Sequence, residues 1–172
     1  LYGDDSGHGE DERLFDPEWS FVNTGTGLRD AVAIVHSSSQ LSYGFLQDRL
    51  LAATAFLLRF DDGPIALELP RGPEMLLLIA AASTRNVPFV PVNPSFPDER
   101  KRRMVEIAGC RLVVFAETRP TWAAVPAISA SFVLSSPPAF AVQLHCRPRM
   151  AADAAYVMFT SGSTGEPKGV VA

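Results

Sequence analysis

Tyr156-Val157-Met158-Phe159-Thr160-Ser161-Gly162-Ser163-Thr164-Gly165-Glu166-Pro167-Lys168-Gly169-Val170 decides how this sequence is read. An apolar run breaks into a hydroxyl- and glycine-rich loop and then reaches a lysine. Glycine lets the backbone turn tightly and approach a ligand with no Cβ in the way. Successive free N–H groups in such a loop form a nest for anions. The hydroxyls of Thr160, Ser161, Ser163 and Thr164 add donors, and Lys168 adds a point charge. Together they suit a polyphosphate.

The common phosphate loop needs Gly, four residues, then Gly-Lys-Ser/Thr ahead of a helix. Here Gly162 and Gly165 stand three apart, Pro167 precedes the lysine, and Val170-Val171 reads as a second strand. The loop is therefore expected to join two strands, with no helix N-terminus as anion binder. A plain Ser/Gly-rich surface turn is the competing reading. Four hydroxyls, three glycines and a lysine within residues 160–169 weigh against it.

Upstream, strand and helix patterns alternate. Ala31–Val35 reads as a strand, Ser37-Ser38-Ser39 as a turn and Gln40–Tyr43 as its hairpin partner. Ser42 suits a helix N-cap. Leu46, Leu50, Ala53 and Leu57 then form one apolar stripe reaching about Phe60. Asp61-Asp62-Gly63 is a turn and Ile65–Leu69 a strand. Pro73 suits the first position of a helix whose run Met75–Ala82 is apolar all round, so burial on more than one side is expected. Asn86 is expected to end that helix in the left-handed region. Val87–Val92 carries Pro88 and Pro91, which confine it to an edge or make it irregular. Pro97 starts the next helix, with Asp98 and Glu99 in its first turn and Met104, Val105, Ile107 and Ala108 as its buried face. Arg100-Lys101-Arg102-Arg103 reads as a solvated face balanced by Asp98, Glu99 and Glu106 rather than a nucleic-acid contact. Gly109 ends the helix and Leu112–Phe115 is a strand. Thr121–Val125 reads as a short helix and Phe132–Leu134 as a short strand; residues 116–150 show no chemistry. Alternating strands and helices predict an α/β class with a partly parallel sheet.

Composition bounds the function. A chain of 172 residues, 47% hydrophobic, is long enough for one globular unit with a core. A net charge of −4 argues against nucleic acid as the main partner. Only two lysines occur, Lys101 and Lys168, and one closes the loop. Cys110 and Cys146 lack metal-type spacing, and His8, His36 and His145 are scattered, so no metal-ligating set is proposed. Two isolated thiols suggest a reducing, cytoplasmic setting, though a disulfide between them stays open. The apolar runs Leu50–Leu58 and Met75–Ala82 are far short of the ~20 residues a membrane span needs. Residues 1–20 are acidic and glycine-rich and are expected to be mobile, leaving 21–172 as the folded unit.

The stretch Thr160-Ser161-Gly162-Ser163-Thr164-Gly165-Glu166-Pro167-Lys168-Gly169, after its apolar strand, resembles the AMP-binding signature of the adenylate-forming enzymes. That superfamily holds acyl-CoA synthetases, nonribosomal peptide synthetase adenylation domains and luciferases. Leu41-Ser42-Tyr43-Gly44-Phe45-Leu46 is similar to its first core motif, with Phe45 where the family has Glu. Val90-Pro91-Val92-Asn93-Pro94-Ser95-Phe96-Pro97-Asp98-Glu99-Arg100 is similar to the second. Its Pro97-x-x-Arg100 ending leans towards the amino-acid-activating branch; Asn93, where that branch usually has Asp, leans the other way. The role of this motif reads as structural, shaping the strand–helix turn.

The resemblance implies the first part of the large domain of an AMP-forming ligase. Such an enzyme activates a carboxylic or amino acid with ATP and Mg²⁺, then passes the acyl group to a thiol of CoA or of a carrier-protein phosphopantetheine arm. It implies that Thr160, Ser161, Gly162, Ser163, Thr164, Gly165 and Lys168 hold the β- and γ-phosphates, and that Lys168 is the catalytic residue, stabilising the departing pyrophosphate. The family's metal-holding acid, ribose-binding Asp, acid pocket and C-terminal lysine domain have no counterpart here. The chain is therefore expected to be a fragment that is inactive by itself, with a carrier domain downstream on the peptide-synthetase reading. An acyl-CoA or aryl-CoA ligase and a non-catalytic nucleotide-binding remnant are the alternatives.

Overall fold

A computed structural model describes residues 28–60, 63–135, 154–161 and 167–172 of the chain. The acidic segment, Asp61-Asp62 and Cys146 lie outside the described residues.

The chain opens with a hairpin, β1 (Val32–His36) against β2 (Ser39–Ser42), antiparallel as expected. Helix α1 (Tyr43–Leu57) follows directly. Ser42 is its N-cap, and its hydroxyl accepts from the Phe45 N–H at 3.2 Å. Phe45 leaves only that half of a capping box, and its ring instead carries the Arg49 guanidinium 5.0 Å above it. Leu46, Leu50, Ala53 and Leu57 are all buried.

The centre is a four-stranded sheet in the order β4-β3-β5-β6. Its strands are β3 (Ile65–Glu68), β4 (Phe89–Val92), β5 (Leu112–Phe115) and β6 (Ala127–Ser129), and every pairing is parallel. Helix α2 (Pro73–Arg85) links β3 to β4, and α3 (Asp98–Ala108) links β4 to β5. The proline-bearing strand β4 is at the edge of this sheet, where Pro91 withholds no N–H from a central ladder.

Strand alternation sorts the core into two layers. Ile65, Leu67, Leu112 and Val114 face α1, α2 and α4 (Ala130–Ser135). Ala66, Val90, Val92 and Val113 face Met104 and Val105 of α3, together with Trp122. A sheet covered on both faces explains why β3 and β5 are buried throughout. Asn86 (φ 54°) and Gly109 (φ 65°) end α2 and α3 in the left-handed region, as their sequence positions predict.

Four expectations are corrected. Phe132–Leu134 lies within α4 rather than a strand, because the Ser129 hydroxyl accepts the Phe132 N–H at 3.3 Å and starts a helix. Residues 121–125 form bends, not a helix, and leave Trp122 to fill the α3 side of the core. The run Met75–Ala82 of α2 is not buried all round: Leu76 is 55% exposed, although Leu77, Leu78, Ala81 and Ala82 are buried. On α3, Ile107 is exposed and Lys101 is buried instead: 101, 104, 105 and 108 share one helical face. Among the described residues no helix is long and apolar enough to cross a membrane.

Candidate functional site

The signature stretch folds as the expected two-stranded unit. Strand β7 (Val157–Ser161) pairs antiparallel with β8 (Pro167–Val171). The register sets Phe159 opposite Gly169, Thr160 opposite Lys168 and Ser161 opposite Pro167. Residues directly opposite in an antiparallel pair project to the same side. One side of the hairpin is therefore Val157, Phe159 and Gly169, and the other is Met158, Thr160, Lys168 and Val170.

On the first side Val157 and Phe159 face inward, while Val171, opposite Val157, is exposed. Val157 is buried and Phe159 packs on the α3-side core. Gly169 makes this packing possible: a Cβ there would lie 3.1 Å from Val157 Cγ1 and 3.3 Å from two atoms of the Phe159 ring. This glycine serves side-chain packing. The second side faces outward, and Thr160 and Lys168 are both exposed on it. Among the described residues no carboxylate forms an ion pair with Lys168.

The hairpin is fixed beside the sheet. Tyr156 bridges in parallel to Phe89 of β4, the Phe89 N–H donates to the Ala155 carbonyl at 3.4 Å, and the two rings lie 5.8 Å apart. Tyr156 and Ala172 exchange backbone hydrogen bonds of 3.2 and 3.1 Å across the open end. Of the residues assigned to phosphate binding, Thr160 and Lys168 are thus brought together on one face. The backbone of Ser161 extends the strand; its side chain, Gly162, Ser163, Thr164, Gly165 and Glu166 lie outside the described residues.

The second motif is structural, as its sequence suggests. The Asn93 side-chain oxygen accepts from the Ser95 N–H at 3.0 Å and from the Ser95 hydroxyl at 2.9 Å, forming an Asx-type turn between β4 and α3. The Arg100 guanidinium stacks 4.3 Å from the Phe96 ring centroid.

Sequence reasoning missed a buried ion cluster next to that turn. Lys101 Nζ donates to Glu68 Oε1 at 2.7 Å and meets Asp98 Oδ1 at 2.9 Å. It also lies 5.4 Å from the Trp122 ring centroid. The Lys101 and Glu68 side chains are only 8% and 9% exposed. Burial pushes the Lys101 pKa down, but the hydrogen bonds and charges of Glu68 and Asp98 outweigh it, and the net shift is upward. Two signals were available: a glutamate in the apolar strand Ile65–Leu69, and a lysine in phase with Met104 and Val105. Cys110, a free thiol at the end of α3, has its pKa pushed up to about 12 by burial. Among the described residues no group of His, Cys, Asp and Glu could hold a metal ion.

The family model described as AMP-binding enzyme matches residues 21–172. Phenyloxazoline synthase MbtB of Mycolicibacterium paratuberculosis is 33% identical over 144 residues, covering 82% of this chain and 12% of that protein. Tyrocidine synthase 2 of Brevibacillus parabrevis is 32% identical over 149 residues, covering 84% of this chain and 4% of that protein. The N-terminal subdomain of Klebsiella oxytoca NpsA, solved with 3-hydroxyanthranilyl-AMSN, superposes with a TM-score of 0.72 at 23% identity, over 88% of this chain and 38% of that one. VinN, solved with 3-methylaspartate, gives 0.68 at 23% identity, over 88% and 45%. The chain thus spans a small part of the curated relatives and under half of the solved chains, and the structural likeness establishes the α/β fold.

Proposed function

Because the chain belongs to the AMP-binding enzyme family, we propose that it forms part of an ATP-dependent ligase that converts a carboxylic or amino acid to its acyl adenylate and hands the acyl group to a carrier-protein pantetheine thiol. A carboxylate oxygen bonds to the α-phosphorus of ATP, the bond from that phosphorus to the β-bridging oxygen breaks, and pyrophosphate leaves with its electrons. The chemistry then needs little beyond holding a polyanion while charge grows on the leaving group.

The register that sets Lys168 opposite Thr160 carries this reading. It directs an ammonium and a hydroxyl from one exposed face at the base of the loop 162–166. Under the proposal, Thr160, Ser161, Gly162, Ser163, Thr164 and Gly165 cradle the β- and γ-phosphates, and Lys168 stabilises the departing pyrophosphate. None of them serves as a general base. Magnesium would arrive with ATP and neutralise phosphate charge. No step is assigned to protein-bound metal, since among the described residues no group of three or more His, Cys, Asp and Glu side chains could hold an ion.

The names of the relatives, tyrocidine synthase 2 among them, favour a carrier-protein acceptor over CoA. Asn93 does not weaken that preference. Its side-chain oxygen shapes the turn, a task an aspartate oxygen performs equally well. The free thiol of Cys110 supports a cytoplasmic setting.

The test is ATP–pyrophosphate exchange by the protein carrying this chain, against a panel of amino and aryl acids. The proposal expects exchange with at least one acid, and a fall in kcat of about 10²–10³ for Lys168→Ala. Residues 1–172 alone should show no exchange. Equal rates for wild type and Lys168→Ala would sink the assignment of Lys168, and absence of exchange with every acid would favour a non-catalytic nucleotide-binding remnant.

A further inference from the structure

Among the described residues, strand β8 has a single sheet neighbour, β7. Its Val170 and Val171 are exposed, so the strand buries little of its own. A two-stranded ribbon twists more strongly than a wide sheet and is marginal by itself in water. Lys168 is carried on this strand, and its position needs support beyond the ladder.

The Phe159 ring supplies that support. Phe159 immediately precedes Thr160 on β7 and stands opposite Gly169, which immediately follows Lys168 on β8. Its ring reaches across beneath β8: a Cβ on Gly169 would lie 3.3 Å from ring atoms Cε1 and Cζ. The same side chain packs on the core layer that holds Val90, Val92, Met104 and Val105. One ring therefore lies against both strands, at the rung beside the Thr160–Lys168 rung, and ties that rung to the core. With no Cβ at Gly169, the ring comes close to the β8 backbone.

We infer that Phe159 is a positioning residue: its ring, seated beneath Gly169, sets where the Lys168 ammonium stands relative to Thr160 at the base of the loop 162–166. The inference rests on the proposed role of Lys168 toward the departing pyrophosphate. Phe159 acts through Lys168 and carries no donor of its own. A lysine whose strand has shifted still attracts a bound polyphosphate. It meets the charge growing on the leaving group from the wrong place, and bending its stem to compensate costs rotamer freedom. The loss therefore falls on kcat rather than on the KM for ATP.

ATP–pyrophosphate exchange by the protein carrying this chain tests the inference in four forms: wild type, Phe159→Leu, Lys168→Ala and the double variant. Leucine keeps the side chain apolar but is too short to reach under Gly169. Phe159→Leu should lower kcat about tenfold, with the KM for ATP within about threefold of wild type. In the Lys168→Ala background the same substitution should change kcat by no more than about twofold, because the group it positions is gone. Gly169→Ala added to Phe159→Leu should restore much of kcat, its methyl filling the place the ring vacates. Should Phe159→Leu fail to fold, Gly169→Ala, which crowds the ring, is measured in both backgrounds and should lower kcat only where Lys168 is present. A fall in kcat that persists undiminished in Lys168→Ala would make Phe159 a structural residue only; it would overturn the inference and leave the role of Lys168 intact. Unchanged kcat in Phe159→Leu, or a raised KM with kcat held, would overturn it in the same way. Equal rates for wild type and Lys168→Ala would remove the Lys168 reading itself, and the inference with it.

Discussion

Lys168 stands directly across the β7–β8 ladder from Thr160, on the exposed face of a hairpin whose other face is built into the core. The packing behind the ladder therefore sets the position of the lysine, and the first prediction concerns that packing. Gly169→Ala places a methyl against Val157 and the Phe159 ring at 3.1–3.3 Å. Overpacking of this kind should destabilise the chain by roughly 1 kcal/mol. Chemical denaturation measures it, and Gly169→Ala combined with Phe159→Leu should recover most of the loss. A neutral single variant would show that the ring yields freely.

The buried ion pair should respond asymmetrically to substitution. Lys101→Met leaves Glu68 charged and enclosed, whereas Glu68→Leu leaves Lys101 with Asp98 at 2.9 Å as its remaining partner. The first should cost about 3–5 kcal/mol and the second less. The double variant Glu68→Leu/Lys101→Met should be near wild-type stability or above it, because two apolar side chains replace two desolvated charges. Urea midpoints for the four proteins give the coupling. Additive losses would contradict it.

Alkaline pH should weaken the fold in two stages. The Cys110 thiol ionises at about 12 when folded, against an ordinary value of 9.0. Its contribution is complete below pH 9.0 and falls as the pH rises from there, by at most about 1.4 kcal/mol per pH unit. Lys101 is raised from 10.5, so its contribution is complete below that pH and is lost above it. Cys110→Ala should therefore be less stable than wild type at pH 7, yet flat between pH 9 and 10.5 where wild type declines. Thermal melts across that window check the sign.

Asn93→Ala removes the acceptor for two hydrogen bonds of Ser95. A loss of about 1–2 kcal/mol should follow, while Asn93→Asp should stay within about 0.5 kcal/mol. Equal losses for both would indicate that the Asx turn does not hold the start of α3.

Most of the fold was legible because its elements obey simple periods. Leu46, Leu50, Ala53 and Leu57 repeat at helical spacing, and Ile65–Leu69 and Leu112–Phe115 are apolar runs of strand length. Asn86 and Gly109 mark helix ends by backbone preference alone. The misses occur where period carries no information. β6 has three residues and α4 has six, too few to show a repeat, and the Ser129 cap that decides α4 is a single hydroxyl. Lys101 reads as solvated because charge outweighs phase, although it stands three and four residues before Met104 and Val105. The hairpin at 157–171 was legible from Pro167 and Val170-Val171, which do not suit a helix.

The Glu68–Lys101 pair also constrains how this sequence can change over generations. Loss of Lys101 alone passes through a chain with a lone charge in its core, and loss of Glu68 alone leaves Lys101 with only Asp98 beside it. Neutral drift along that path is closed unless a second change follows at once. Sequences descended from this one should keep both residues or replace both together, so the two positions should be inherited as one character.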